Sequence, residues 1–332
     1  MSRPSDRPPR AGEFDLIARL FAPLAAGFPG AFGLTDDAAV LAPAAGCELV
    51  LKADSLIESV HFLRDDPPGD VARKALRRAL SDLAAKGAVP RVYLLALALP
   101  DWPDMAWLAS FAAGLSLDQS QFALSLVGGE TNRTPGPLTI TITAIGEVSS
   151  GMMIRRAGAR VGDLVFVTGT IGDAAGGLFL ARNTVSGLRD ADRQMLVQRY
   201  RVPEPRLAFG CELMGMANAS LDISDGLVAD LGHLAAASHV RIEIAADRIP
   251  FSPALQTLWS GEDLIARTAG AGDDYEIAFT ASAGHEARIA ELSRATATRA
   301  TCIGHVCAGT GVALLNGDGR EILLASTGYR HF

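Results

Sequence analysis

Ten carboxylates lie in six short clusters along the chain: Asp36-Asp37, Asp54, Asp82, Glu130, Asp222 with Asp225, and Asp273-Asp274 with Glu276. Several interrupt or end apolar strands, as in Leu49-Val-Leu-Lys-Ala-Asp54 and Leu126-Val-Gly-Gly-Glu130, instead of decorating a solvated helix face. Carboxylates placed there need a cation. The simplest physical account is convergence on hard divalent ions, above all magnesium carrying the phosphates of a nucleotide.

The clusters differ in what surrounds them. Leu221-Asp222-Ile-Ser224-Asp225-Gly226 sets two acids and a hydroxyl at a strand-to-helix turn. The N–H groups and positive dipole end of a helix N-terminus suit phosphate. A metal bridging Asp222 or Asp225 to phosphate oxygens, with Ser224 or a backbone N–H donating directly, reconciles those acids with an anion. The plainer alternative is that Ser224 or Asp225 caps the helix, which leaves Asp222 unexplained. Gly128-Gly129-Glu130 and Gly270-Ala-Gly-Asp273-Asp274 share a glycine-then-acid order that admits a ligand close to the backbone, although a turn with a solvated acid reads the same way. Arg155-Arg156 could grip phosphate bidentately or sit in solvent. His61 follows Asp54 by seven residues and carries little weight alone. The sequence contains no serine nucleophile elbow, no thiol-hydrolase arrangement, no Rossmann fingerprint and no Walker lysine loop.

These residues need a scaffold of some size. A chain of 332 residues, 49% of them hydrophobic, is long enough for two domains. The net charge of −7 and the lack of a long basic run argue against nucleic acid as the main partner. No apolar run approaches the roughly 20 residues of a membrane span, and the first residues lack the apolar core of a secretory signal, so the expectation is a cytoplasmic protein with a disordered tail over 1–12. Four cysteines without a C-x-x-C pair argue against a zinc site or disulfide framework. Periodicity predicts helices over 13–26, 71–86, 105–117, 174–181, 190–199, 206–216 and 227–237. Strands are expected over 38–41, 48–53, 92–99, 123–127, 138–148, 164–168, 220–223, 276–279 and 301–306. The alternation means α/β or α+β, with a domain boundary at 150/151. On the helix over 71–86, Asp82 falls only about 20° from Ala75 at ~100° per residue, so its carboxylate faces the inward half.

Taken in order, the motifs resemble the thiamine-monophosphate kinases, relatives of aminoimidazole ribonucleotide synthetase, selenophosphate synthetase and the hydrogenase-maturation dehydratase. The resemblance runs through Gly12-Glu-Phe-Asp-Leu-Ile-Ala-Arg19, Asp36-Asp37, Ala53-Asp54 to His61-Phe62, Leu80-Ser-Asp82-Leu-Ala-Ala-Lys-Gly-Ala88, Gly128-Gly-Glu130-Thr, Arg156 to Asp163, Val167 to Asp173, Asp222-Ile-Ser-Asp-Gly-Leu227, Gly272-Asp-Asp-Tyr-Glu276 and Gly328-Tyr-Arg-His-Phe332. It implies transfer of the γ-phosphoryl group of ATP to thiamine monophosphate. It further implies that Asp37, Asp54, Asp82, Glu130, Asp222 and Asp225 hold several magnesium ions, that Gly129, Glu130, Arg156 and Ser224 contact ATP, and that His61, Asp273 and Tyr329 line the thiamine phosphate pocket. The fold implied is an N-terminal α/β domain whose mixed sheet pairs across a homodimer, over 13–150, joined to a C-terminal α+β domain over 151–332.

The chain departs from that pattern where Lys52-Ala53 replaces hydroxyl-bearing residues, Glu130 an aspartate, Asp273 a glutamate and Thr35 a glycine. Lys52 either supplies one cation's charge, points away, or weakens metal binding. The alternatives to a kinase are a non-catalytic nucleotide-binding homologue and another ATP-dependent synthetase or dehydratase of the same superfamily.

Overall fold

The computed structural model describes residues 12–329. The tail expected over 1–12 lies, apart from Gly12, outside the described residues, as do the last three residues of the closing motif. Two sheets carry the fold. The first is mixed and four-stranded: β1 (Cys47–Ile57), β2 (Val89–Leu99), β3 (Ser125–Arg133) and β4 (Thr139–Ser149), in the order β1-β4-β2-β3. β2 and β3 are parallel, and the other neighbours antiparallel. The second has six strands: β5 (Leu164–Thr168), β6 (Ala217–Asp222), β7 (Arg241–Ala245), β8 (Ile277–Ala281), β9 (Ala300–Cys307) and β10 (Gly311–Leu315), in the order β10-β7-β9-β5-β8-β6. Only β10 and β7 run parallel.

Around the first sheet lie α1 (Glu13–Leu16), α2 (Ala22–Ala25), α3 (Pro68–Ala85) and α4 (Met105–Phe122). The second carries α5 (Asp173–Arg182), α6 (Asp190–Arg201), α7 (Leu207–Gly210), α8 (Leu227–Ser238), α9 (Pro253–Leu258), α10 (Gly261–Thr268) and α11 (Glu286–Ala295). Among the described residues no helix is long and apolar enough to cross a membrane.

α3 joins the two halves. It starts behind Pro67-Pro68, where a missing N–H costs nothing, and ends at Lys86 before Gly87, whose φ of 72° reverses the chain. Thirteen of its 18 residues are buried, so it is covered on nearly every side. Leu76, Leu80 and Leu83 belong to a core that also takes in Tyr93 and Ile142 of the first sheet and Phe166, Phe209 and Phe279 of the second half. Burying each such side chain contributes about 1.5–3 kcal/mol. Arg77, 2% exposed, donates to both oxygens of the fully buried Asp118 on α4 and to the Pro203 carbonyl (3.1 Å), tying the halves together with charge as well as apolar surface.

Several expectations need correction. The helix over 13–26 has a π-helical middle, Ile17–Phe21, just before Pro23, which has no N–H for the regular ladder. Residues 38–41 form no strand; Ala39 and Leu41 instead pack beside Ala31, Val92 and Val127. The stretch 206–216 holds only one α-turn, α7, whose Gly210 lies so close to α3 that a Cβ there would meet the Ala84 carbonyl oxygen at 2.0 Å. The short strands β7 and β10 and helices α9 to α11 were not among the expected elements.

Candidate active site

The site is built first from β1 and α3. Along β1, Val50 and Leu56 point inward and are buried, and alternation puts Lys52 and Asp54 on that same side, toward α3. From α3, Lys74, Arg78 and Asp82, continued by Lys86 at its C-cap, follow each other at four-residue spacing and form one polar stripe. Each member has a separate partner. Lys86 Nζ donates to the Ser220 carbonyl at 2.6 Å, and Asp82 Oδ2 lies 2.8 Å from Lys52 Nζ. Arg78 Nη2 donates to Asp54 Oδ1 at 3.3 Å, while its Nε sits 3.1 Å from Oδ2 without hydrogen-bond geometry. Lys74 Nζ donates to Asp273 Oδ2 at 2.9 Å and rests 3.8 Å above the Tyr200 ring.

Burial works against the Lys52 ammonium, yet Asp82, Asp54 and Asp222 outweigh it and hold its pKa above the usual lysine value. For Lys74, burial dominates and lowers the pKa despite Asp273. Asp273 is the converse: burial opposes its charge, and Lys74 and Arg78 still hold it below the ordinary carboxylate value.

The opposite wall comes from the second half. β6 ends at Asp222, and the chain turns through Ser224, Asp225 and Gly226 into α8. The N–H groups of those three turn residues all donate to Asp230 Oδ2, at 3.0, 2.9 and 3.1 Å. So neither Ser224 nor Asp225 caps the helix; Asp230 does so from within it. The backbone donors that a phosphate would have used are taken, which leaves the Ser224 hydroxyl as that residue's polar group toward the cavity. Residues 272–276 run alongside, with Asp273 N–H donating to the Ser224 carbonyl and Tyr275 N–H to that of Ile223. Gly272 permits this approach, since a Cβ there would lie 2.2 Å from the Ser224 oxygen. Asp273 and Tyr275 adopt φ of 70° and 52°, strained for side-chain-bearing residues. The strain aims Asp273 at Lys74 and at the Tyr275 hydroxyl, which donates to Asp273 Oδ1 at 2.8 Å.

Asp222 is strongly perturbed. Burial first, and then the neighbouring Asp82, push its pKa up to about 8. Its Oδ2 is buried with no hydrogen-bond donor among the described residues. An orphaned carboxylate oxygen facing a second acid is what a bound cation would satisfy, so the donor set fits a divalent ion.

Between the walls lies a cavity of about 360 Å³. It brings together Asp54, Asp82, Asp222, Ser224 and Asp225 with His61, Asp273 and Tyr329. His61 Nδ1 accepts the Ile57 N–H at 3.0 Å, and Tyr329 N–H is tied to the Asp225 carbonyl at 2.9 Å. Lys52, Arg78, Tyr200 and Tyr275 complete the polar lining.

Asp37, Gly129, Glu130 and Arg156 are not part of this lining. Asp37 is exposed in the irregular segment before β1. Asp54 pairs with Ile142, Ile142 with Leu95, and Leu95 with Gly129, so Glu130 is about three strand spacings from Asp54, roughly 14 Å, with its side chain on the other face of the sheet. Arg156 is exposed near Lys86, whose ammonium feels its charge.

Lys74, Arg78 and Asp230 were not anticipated. The sequence signal for the first two was the i, i+4 series of charges within an otherwise apolar helix. Asp274 and Glu276 are structural, and Asp36 is exposed. Glu276, fully buried, accepts from Thr168, Arg199 and Arg206, and both oxygens of Asp274 accept the Gly172 N–H.

Comparison with known proteins shows the family. Residues 35–148 match the family described as AIR synthase related protein, N-terminal domain, and residues 160–315 match its C-terminal domain. The thiamine-monophosphate kinase of Caulobacter vibrioides is 40% identical over 99% of this chain and 92% of its own length. The crystal structure of thiamine-monophosphate kinase from Stenotrophomonas maltophilia K279a superposes with a TM-score of 0.79 at 39% identity, covering 87% of this chain and 91% of the other. A structure of AaThiL complexed with AMPPCP and TMP gives a TM-score of 0.77 at 31% identity, covering 97% of both chains. The chain belongs to the thiamine-monophosphate kinase family of AIR synthase related proteins.

Proposed function

We propose that this protein phosphorylates thiamine monophosphate, using ATP as donor and yielding thiamine diphosphate and ADP. The observation that carries the reading is the division of one cavity into an acidic end, where Asp54, Asp82, Asp222 and Asp225 face one another, and an end bordered by His61, Asp273 and Tyr329. A family relative bound to AMPPCP and TMP supports placing both ligands in the corresponding cleft.

The family resemblance assigns magnesium to Asp37, Asp54, Asp82, Glu130, Asp222 and Asp225; of the four at the cavity, Asp54 and Asp82 already have Arg78 and Lys52 beside them, so Asp222 and Asp225 are the ones that would hold it there. An ion held there would supply positive charge against the phosphates during the transfer. The chain's own side chains position. The Ser224 hydroxyl donates to phosphate, and Gly129, Glu130 and Arg156 complete the nucleotide contacts. His61, Asp273 and Tyr329 hold thiamine monophosphate, with Asp273 fixed in place by Lys74 and Tyr275. No side chain serves as a covalent acceptor, because positioning two phosphates in line is the main requirement of the reaction.

The division into domains over 13–150 and 151–332, a cytoplasmic location and a homodimer belong to the same proposal. The dimer has a physical motive. The sheet face opposite α3 exposes Leu51 by 66% and Leu94 by 38%, an apolar surface that a second copy would cover. The test of function is direct: purified protein, magnesium, ATP and thiamine monophosphate, with product separated by chromatography. Thiamine diphosphate is expected, and its absence from protein that still binds nucleotide would overturn the kinase reading.

A further inference from the structure

The two walls of the cavity are not electrostatically alike. On the β1–α3 wall each carboxylate already has a cation of this chain beside it: Lys52 Nζ is 2.8 Å from Asp82 Oδ2, and Arg78 is 3.1 Å from Asp54 Oδ2. Across the cavity, Asp222 and Asp225 have no lysine or arginine in ion-pair contact among the described residues; Lys52, Arg78 and Lys86 act on Asp222 only from further away, and its Oδ2 makes no hydrogen bond among those residues.

The two cations are held in different ways. Arg78 is 8% exposed and lies 5.7 Å from the centre of the Tyr275 ring, with Nε and Nη1 lacking hydrogen-bond acceptors among the described residues. It lines the cavity with little of its surface exposed, so its charge stays next to Asp54. Lys52 is half-buried on an edge strand, with the acids Asp82, Asp54 and Asp222 all acting on its ammonium. A divalent ion approaching Asp82 or Asp54 would meet a fixed positive charge within a few ångströms, in a site only partly open to water, where like charges repel strongly.

We propose that Lys52 and Arg78 stand in for divalent metal at the β1–α3 wall, and that the ions this enzyme does bind at the cavity sit at the Asp222–Asp225 wall. Lys52 lines the cavity, so its remaining N–H groups are directed to phosphate oxygens as charge-assisted donors. Part of the countercharge for the phosphates is then supplied by the polypeptide. Three of the five acids lining the cavity, Asp54, Asp82 and Asp273, are matched by Arg78, Lys52 and Lys74, and two are left for metal. The inference rests on the kinase reading only for the identity of the nucleotide.

The experiment counts ions. Full-length wild type, Lys52→Thr and Asp222→Asn are titrated with Mn²⁺ at saturating non-hydrolysable ATP analogue, and the free aqueous ion is read by electron paramagnetic resonance. Threonine suits a strand and Lys52 is not in the core, so Lys52→Thr should fold, as thermal melting will verify. Lys52→Gln, which keeps the stem and removes only the charge, is the second variant. Both Lys52 variants are expected to bind at least one more Mn²⁺ per chain than wild type, and Asp222→Asn to bind fewer. Equal stoichiometry in wild type and either folded Lys52 variant would overturn the proposal. So would anomalous Mn²⁺ density against Asp82 in wild-type crystals. Thiamine diphosphate formation is scored separately. Absence of product from the wild type, with a gain of ions in the Lys52 variants, would refute the kinase reading alone, and product from the wild type without a change in ion count would refute the substitution alone.

Discussion

Replacing Lys74 by methionine tests whether the substrate end of the cavity is held by one buried ion pair. Lys74 is 1% exposed, its Nζ is 2.9 Å from Asp273 Oδ2, and Asp273 is otherwise bonded to the Tyr275 hydroxyl. At that separation and an effective dielectric of about 20, the attraction is roughly 6 kcal/mol, most of it consumed by desolvating the two groups. Methionine refills the volume but leaves Asp273 as a partly buried charge with one neutral donor and the more distant Arg78. Breaking such a pair from one side costs about 3–5 kcal/mol. Asp273→Asn alone should cost less, about 2–3 kcal/mol, because burial already lowers the Lys74 pKa and the amine can shed its proton over the Tyr200 ring. The double variant removes both charges together, so its cost should fall below the sum of the singles by at least about 2 kcal/mol. Urea unfolding is the assay, and the core shared by both halves through α3 favours a single transition. Michaelis constants for thiamine monophosphate give a second readout, since a released Asp273 no longer presents a fixed carboxylate. A Lys74→Met variant within about 1 kcal/mol of wild type, or additive singles, would refute the reasoning.

Two further predictions follow from other parts of the structure. Burial holds the Asp274 pKa well above the ordinary carboxylate value despite the Gly172 N–H, so the folded chain keeps that proton where the unfolded chain, with a pKa of about 3.9, has lost it. Its contribution to stability is therefore fully present below about pH 4 and declines as pH rises toward the folded pKa. In Asp274→Asn this decline should disappear, as urea midpoints between pH 4 and 7 will show, and an unchanged pH profile would mean Asp274 is ionised in the fold. On the outer face of the first sheet, Leu51→Lys should shift gel-filtration and light-scattering mass from dimer to monomer while product formation by the folded chain is assayed in parallel. A mass unaltered by that charge would show that a second copy does not cover Leu51.

The acids were legible because their local setting was wrong for solvent. Asp222 ends a strand, Asp54 lies within one, and Asp82 sits on the inner half of a helix; the cavity gathers all three. The relation of Glu130 to them was not legible. Strand periodicity says which residues share a face but not the order in which strands are laid side by side. Only the order β1-β4-β2-β3 reveals that Asp54 and Glu130 are separated by two strands and point to opposite faces. The cap of α8 was missed for a similar reason. An aspartate four residues inside a helix reads as an ordinary first-turn acid, and only the coordinates of the turn show it collecting three N–H groups.

Lys74 and Arg78 escaped detection for a more instructive reason. Charged residues on a helix are normally read as its solvated face, and α3 carries enough of them to suggest such a face. Yet α3 lies between two halves of the molecule and has almost no solvated face to offer. The charges on its inward sides are therefore matched by specific groups: Asp118 for Arg77, Asp273 for Lys74, Asp54 for Arg78, Lys52 for Asp82 and, at its C-cap, the Ser220 carbonyl for Lys86. Two of those partners, Asp54 and Asp82, are among the acids that first suggested a metal site. Charge neutrality of a buried helix and charge neutrality of a phosphate-binding cavity are thus one problem in this chain, and Lys52 and Arg78 are its common solution.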